Sequence, residues 1–231
     1  MALINIKAIY YLDSFAIQLV GILTIVFSII FILFPELDLI VARFFYDEAD
    51  NFLLRNTTFH SFVDNWIRPS IKYAFLLILC FFFFFLIKKT TLIRQNLRAI
   101  IFVSSSFIIG PILLVNGLLK EHIGRARPKN IIDFGGDKLF SPAYFSADQC
   151  ITNCSFVSGD AAAAFTTLTF ALLFSGKIRI PMIFLSISLG IVVSVYRLGT
   201  GAHFLSDTLL AGMFCIFIVL VLERMLYGTN N

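Results

Sequence analysis

Charge is scarce in this sequence. Asp, Glu, Lys and Arg make up 14% of its 231 residues, where a soluble domain carries about 25%, and the mean hydropathy is +0.92. A soluble globular chain is thereby excluded, and an integral membrane protein is predicted. The length suits one polytopic domain, residues 1–231, and is too short for a helical bundle plus a soluble catalytic domain. The net charge of +4 is modest. No basic face interleaved with stacking aromatics occurs, so nucleic acid is not an expected partner. No cluster of metal-ligating residues appears either, so neither a metal nor another cofactor is expected, and positive charge at any site must come from side chains.

The apolar run from Ser14 to Phe34 is longer than a signal-peptide core, and no small-x-small cleavage site follows it. It reads as a transmembrane helix. Internal repeats are absent, and low complexity is confined to Phe81–Phe85. Cysteines number four. Cys80 and Cys215 lie inside apolar runs and read as buried bystanders. Cys150 and Cys154 share a polar loop without a second ligand pair, which argues against zinc. They form either a small disulfide loop, if that loop faces an oxidising compartment, or two free thiols.

What the sequence does have is apolar runs near the ~20 residues needed to cross a bilayer. Six candidates are predicted, at roughly 14–34, 70–87, 99–119, 161–175, 180–196 and 204–226. The fourth is short, with a helix expected from Gly159 to about Gly176. Gly110-Pro111 predicts a kink in the third. The fold class expected is all-α, a six-helix membrane bundle. Lys88, Lys89, Arg94 and Arg98 in one connection, and Lys177 and Arg179 in another, stand without acids. The bias of basic residues toward the cytoplasm then sets both termini there. Loop 35–69, richer in acids, falls outside. It is either a plain connector or the site of a short interfacial helix capping the bundle. The 120–160 loop and the Arg197–Ala202 turn land on the same external face.

Three polar segments gather there. KEHIGRARP, residues 120–128, puts Lys120, Arg125 and Arg127 on the less basic side of the membrane. A topological signal does not explain them there, so an anionic ligand is expected; arginine suits multidentate capture of phosphate oxygens. NCSFVSGD, residues 153–160, leads into a helix whose N-terminus favours phosphate, although capping by Ser158 needs no ligand. In the third, YRLGTGAHFLSD, a helix beginning near His203 would set His203 and Asp207 on one face at i and i+4. His203 could then act as a nucleophile through one ring nitrogen while Asp207 fixes the tautomer through the other. Together they describe metal-free phosphoryl transfer through a phosphohistidine later hydrolysed by water.

Lys120 with six residues before Arg127-Pro128, then Ser158-Gly159, then Arg197 with five residues before His203 and three more before Asp207, resembles the three-part signature of the type 2 phosphatidic acid phosphatase (PAP2) superfamily. The resemblance covers about 99–226. It implies that Lys120, Arg127, Ser158, Gly159 and Arg197 hold the phosphate. His203 would be the nucleophile, Asp207 its orienting partner, and the active site would lie at the external membrane surface. The family has histidine after Ser-Gly as general acid; here Asp160 stands in its place. Helix terminus and arginines favour its charged form, burial and a bound phosphate its protonated form. His122 is a second candidate acid. FGGDKLF with NCSFVSGDA resembles the bacterial lipid A 4′-phosphatase branch. The implied function is a phosphatase of the bacterial inner membrane acting at the periplasmic face, with lipid A 4′-phosphate as leading substrate. Phosphatidic acid, phosphatidylglycerophosphate and undecaprenyl pyrophosphate are the alternatives, and a catalytically inactive phospholipid-binding relative is the alternative of another class.

Overall fold

The computed structural model describes residues 6–49, 51–69, 73 and 91–228. Apart from one two-residue strand pair, the elements are helical. Helix α1 (Ile6–Leu33) leads into α2 (Glu36–Arg43), then a hairpin of β1 (Tyr46–Asp47) and β2 (Asn51–Phe52), antiparallel with Tyr46 opposite Phe52. Next comes α3 (Thr58–Phe62), which runs on as a π-helical turn, Val63–Ile67. Helix α4 (Thr91–Phe107) continues through a π-helical stretch, Ile108–Leu119, into α5 (Lys120–Ile123). A long irregular segment precedes α6 (Gly159–Thr166) and α7 (Leu168–Leu172), followed by α8 (Arg179–Gly199) and α9 (Leu205–Tyr227).

Among the described residues, four stretches are long and apolar enough to cross a membrane: Ser14–Leu33, Asn96–Asn130, Gly176–Gly199 and Leu205–Tyr227. They coincide with four of the six predicted spans; the predicted span 70–87 lies outside the described residues. The predicted span 161–175 falls on α6 and α7, whose helix starts at Gly159 as expected but is interrupted at Thr167. There Thr166 and Thr167 turn their hydroxyls back onto the carbonyls of Ala162 and Ala164, which competes with the helical ladder and bends it. Ala161, Ala162, Ala164, Phe165, Leu168 and Ala171 are buried, so the pair forms an interior wedge. The Phe165 ring occupies the space a side chain would need at two glycines: a Cβ at Gly190 of α8 would lie 2.4 Å from it and one at Gly212 of α9 2.7 Å. Helix α9 is the central element, 44% of its apolar window being buried against 6% for α1.

The expected kink at Gly110-Pro111 is a run of π-helix. Proline lacks the N–H that an α-helix needs, and the Asn116 amide nitrogen donates to the Pro111 carbonyl at 2.6 Å.

Loop 35–69 is no plain connector. Phe52, packed with Ala42 of α2, joins Ile131, Phe134 and Phe204 in a buried cluster. The loop is fastened to the end of α8 at two points. Leu54 N donates to the Gly199 carbonyl at 2.9 Å, and the His60 ring hydrogen-bonds the Tyr196 hydroxyl at 2.6 Å. The loop thus caps the end of the bundle where α5 and α8 finish and α6 and α9 begin.

Candidate active site

That shared end collects the polar residues. Lys120 opens α5, nearly buried, with its Nζ 3.0 Å from the Asn153 side-chain oxygen. Gly124 ends α5 in the left-handed conformation at φ 64°, a position where glycine carries no Cβ penalty. The chain then runs extended through Arg127, whose Nη2 donates to the Asn153 carbonyl at 2.8 Å.

Arg125 behaves otherwise. It is fully buried and spends its donors inside the protein. Nε reaches the Ser141 carbonyl at 2.8 Å, Nη1 reaches Asp207 at 2.7 Å and Ser206 Oγ at 2.8 Å, and Nη2 reaches Asp38 at 2.8 Å. The expectation that Arg125 shares in holding an anionic ligand is therefore corrected. Two carboxylates already neutralise it, and a buried guanidinium is tolerable only when so paired.

Ser158 is the N-cap of α6; its Oγ accepts from Ala161 N, and its own N–H donates to the Asp207 carbonyl at 2.9 Å. Its hydroxyl thus does the capping work, and the free N–H groups of the first turn follow from helix geometry. At Gly159 a Cβ would come within 3.1 Å of the Asn116 side-chain oxygen, so glycine lets this terminus lie close to Asn116. Asp160 sits one residue further, with Oδ2 3.1 Å from Arg197 Nε and 3.3 Å from Arg68 Nη2. Burial draws its carboxyl upward, but Arg197 and Arg68, then His203 and Lys120, outweigh that, and it lies below the usual carboxylate range.

Arg197 occupies the last turn of α8 at 2% exposure. Its Nε is close enough to Asp160 for an ion pair but too poorly aligned for a hydrogen bond, and among the described residues it has no hydrogen-bond partner. A buried N–H left in that state costs of order 1–3 kcal/mol.

The helix expected to begin near His203 starts two residues on, with His203 and Asp207 still close together. Helix α9 begins at Leu205 with Phe204 as its N-cap, which leaves His203 in the preceding turn. Asp207 is the third helical residue and reaches back to accept from Phe204 N at 2.8 Å. Its Oδ2 is 3.6 Å from His203 Nδ1, whereas that nitrogen is 2.8 Å from the Ser155 carbonyl. The backbone of Ser155 thus fixes the ring: Nδ1–H donates to it, and Nε2 is the nitrogen left for the cavity. Burial pushes the His203 pKa down to about 4, so the imidazole is neutral at pH 7.

Ser155 ties the three segments together, although no motif marked it in the sequence. Its N–H donates to the Arg125 carbonyl at 2.9 Å, its hydroxyl to Asp207 at 2.5 Å, and its carbonyl accepts from His203. Asn153, two residues earlier, holds both Lys120 and Arg127. Between them Cys154 is disulfide-bonded to Cys150, with a Cα–Cα distance of 5.6 Å, which decides the question of these two thiols. His122 is exposed and bonded to the Leu118 carbonyl at 2.8 Å, outside the cavity lining.

Lys120, Arg127, Gly159, Asp160, Arg197 and His203 line one cavity of about 680 Å³. Ser158 and Asp207 lie behind that wall. Arg68, Asn116 and Asn153 add polar lining that the sequence did not single out, and Phe107, Pro111, Ile112 and Ala163 supply an apolar side.

The chain matches the PAP2 superfamily model over residues 99–230. It is 31% identical over 201 residues to the lipid A 4′-phosphatase of Francisella tularensis subsp. novicida (strain U112), covering 86% of this chain and 90% of that protein. It is 42% identical over 105 residues to the lipid A 4′-phosphatase of Rhizobium leguminosarum, covering 46% of this chain and 45% of the relative. No solved structure matches. A family match over more than half the chain, and a relative alike over nearly its whole length, place this protein in the PAP2 superfamily.

Proposed function

We propose that the chain is a membrane lipid phosphatase acting on a phosphomonoester headgroup through a phosphohistidine, with lipid A 4′-phosphate as the leading substrate. The observation that carries this reading is the pairing of a buried Arg197, ion-paired to Asp160, with a neutral His203 in one cavity that also holds Lys120 and Arg127. Phosphoryl transfer needs cations placed around the equatorial oxygens and a nucleophile in line with the leaving group. Lys120, Arg127, Arg197 and the α6 N-terminus would supply the first, and His203 Nε2 the second. The apolar side of the cavity suits a lipid, and the relatives' names support the choice of substrate.

In this mechanism His203 Nε2 attacks phosphorus and the P–O bond to the lipid breaks. The departing alkoxide takes a proton from Asp160. A bound phosphate draws Arg68 and Arg197 toward itself and repels the carboxylate, and both effects favour protonation of Asp160 at that stage. Water then attacks the phosphohistidine with Asp160 as base, releasing phosphate and restoring His203. The charge comes from side chains, so EDTA should leave the rate unchanged.

We place the site at the periplasmic face of the inner membrane. Helix α8 has 21 residues and spans about 30 Å, so Arg197 and the basic Lys177–Arg179 end lie on opposite sides. The basic end belongs in the cytoplasm by the charge bias; Arg179 is paired there with Glu223 at 2.6 Å.

The test is phosphate release by detergent-purified protein from a panel of lipid phosphates, with lipid A read by mass spectrometry from expressing cells. Wild type should release phosphate and remove the 4′-phosphate. His203→Ala should lose at least ~10³-fold and form no acid-labile phosphoprotein. Substantial turnover by that variant would overturn the nucleophile assignment.

A further inference from the structure

Arg68 lies outside the region that matches the family, yet its side chain lines the same cavity as Lys120, Arg127, Arg197 and His203. It follows the π-helical turn Val63–Ile67, and the segment before it is anchored to α8 through His60 and Tyr196, the residue preceding Arg197. The capping loop thus carries Arg68 to the helix end that carries Arg197. Its Nη1 donates to Asp64 Oδ1 at 3.0 Å, one turn earlier. Its Nη2 lies 3.3 Å from Asp160 Oδ2, the same oxygen that sits 3.1 Å from Arg197 Nε. One carboxylate oxygen therefore stands between two guanidinium groups at the cavity wall. The Arg68 side chain is 41% exposed and that of Arg197 only 3%.

We propose that Arg68 is a fourth cation of the phosphate site, contributed by the N-terminal third of the chain, and that it binds a non-bridging oxygen of the substrate phosphoryl group. This rests on the phosphatase reading above. In the free protein Asp160, with one negative charge, bridges Arg68 and Arg197. A phosphate monoester brings up to two charges and three acceptor oxygens, and the planar fork of arginine takes two of them in parallel. Arg68 is the more exposed of the two. It can turn from Asp160 to the substrate while Asp64 continues to hold its other nitrogen.

The experiment compares Arg68→Ala, Arg68→Lys and Asp64→Asn with wild type and His203→Ala, all in detergent. It reads steady-state lipid phosphate hydrolysis and, independently of turnover, calorimetric binding of inorganic phosphate. Arg68→Ala should raise KM and weaken phosphate binding, each roughly 10- to 100-fold, with thermal stability kept because the side chain is half in solvent. Arg68→Lys should recover part of the loss, and Asp64→Asn should change either reading less than about threefold. Wild-type KM and phosphate affinity in Arg68→Ala would overturn the proposal. So would a loss in Asp64→Asn as large as in Arg68→Ala without rescue by lysine, since Arg68 would then only brace its segment. If wild type and His203→Ala release phosphate equally, the phosphatase reading fails first and the proposal falls with it; if only Arg68→Ala is silent, the proposal alone fails.

Discussion

Arg125 and Arg127 stand two residues apart on the same extended chain, yet one is sealed and the other open. Arg125 lies between Asp38 of α2 and Asp207 of α9, fully buried, with its guanidinium 4.2 Å from the centre of the Phe204 ring. Asp38 also accepts from Ser206 N and Oγ at 2.8 and 2.6 Å, so the network locks the start of α9 to α2. Among the described residues Arg127 has one hydrogen-bond partner, the Asn153 carbonyl, and it faces a cavity with Lys120 and Arg197. Identical side chains thus serve opposite ends. Charge with all its partners inside the protein positions other groups; charge left short of partners at a cavity is available to a ligand. Desolvation separates the two, because a buried arginine must be neutralised by the fold, whereas a cavity arginine can be neutralised by what binds.

The comparison breaks most sharply if the two arginines prove interchangeable in their effects. Arg125→Ala should strand Asp38 and Asp207 in the interior and cost about 3–5 kcal/mol, seen as a lost or strongly lowered melting transition in detergent. Arg127→Ala should leave the melting temperature within a few degrees of wild type and lower kcat/KM for lipid phosphate about 10- to 100-fold. A stable Arg125→Ala protein with an Arg127-like kinetic defect would show both to be ligand groups. Asp38→Asn is the finer probe. It keeps the shape but weakens three charge-assisted bonds, so a loss of about 1–3 kcal/mol is expected, with residual activity once folded at low temperature.

Asp160 sharpens the boundary between the two regions, since it is paired yet one-third exposed. If it serves as the acid, Asp160→Asn should slow lipid substrates, with poor leaving groups, well beyond activated aryl phosphates. Equal losses on both would assign it to holding Arg68 and Arg197.

A separate effect concerns pH. His203 has a folded pKa of about 4 against an ordinary value near 6.5. The unfolded chain therefore binds more protons between those values, and stability should rise with pH across about 4 to 6.5 and level off above. Melting curves of wild type and His203→Gln should diverge in that window and run parallel above it. Parallel curves throughout would mean that the imidazole is not held neutral by burial.

Much of this was legible in the chain. Of the residues named from the sequence, Lys120, Arg127, Gly159, Asp160, Arg197 and His203 line one cavity, and Ser158 and Asp207 lie behind it. The spans 14–34, 99–119, 180–196 and 204–226 each coincide with an apolar helix, because length and hydropathy are local properties. The predicted span 161–175 falls on α6 and α7, and the interruption at Thr167 went unread because it comes from hydroxyl-to-carbonyl bonds that hydropathy does not record. Ser155 and Asn153 went unnoticed since two of their contacts run through backbone carbonyls, which leave no trace in side-chain identity. Asp38 and Arg68 were missed for distance. Each acts on groups tens to more than a hundred residues away, and an acid or arginine in a mixed-charge loop looks solvated.

By itself the sequence determined that the chain enters a membrane and which polar segments were candidates for one site. Apolar run length and motif spacing are written along the chain. Only the tertiary structure decided which cations are sealed and which are open, that a backbone carbonyl orients His203, and that a distant loop delivers Arg68. Those depend on which surfaces lose water when the elements pack, a property of neighbours in space that no stretch of sequence carries alone.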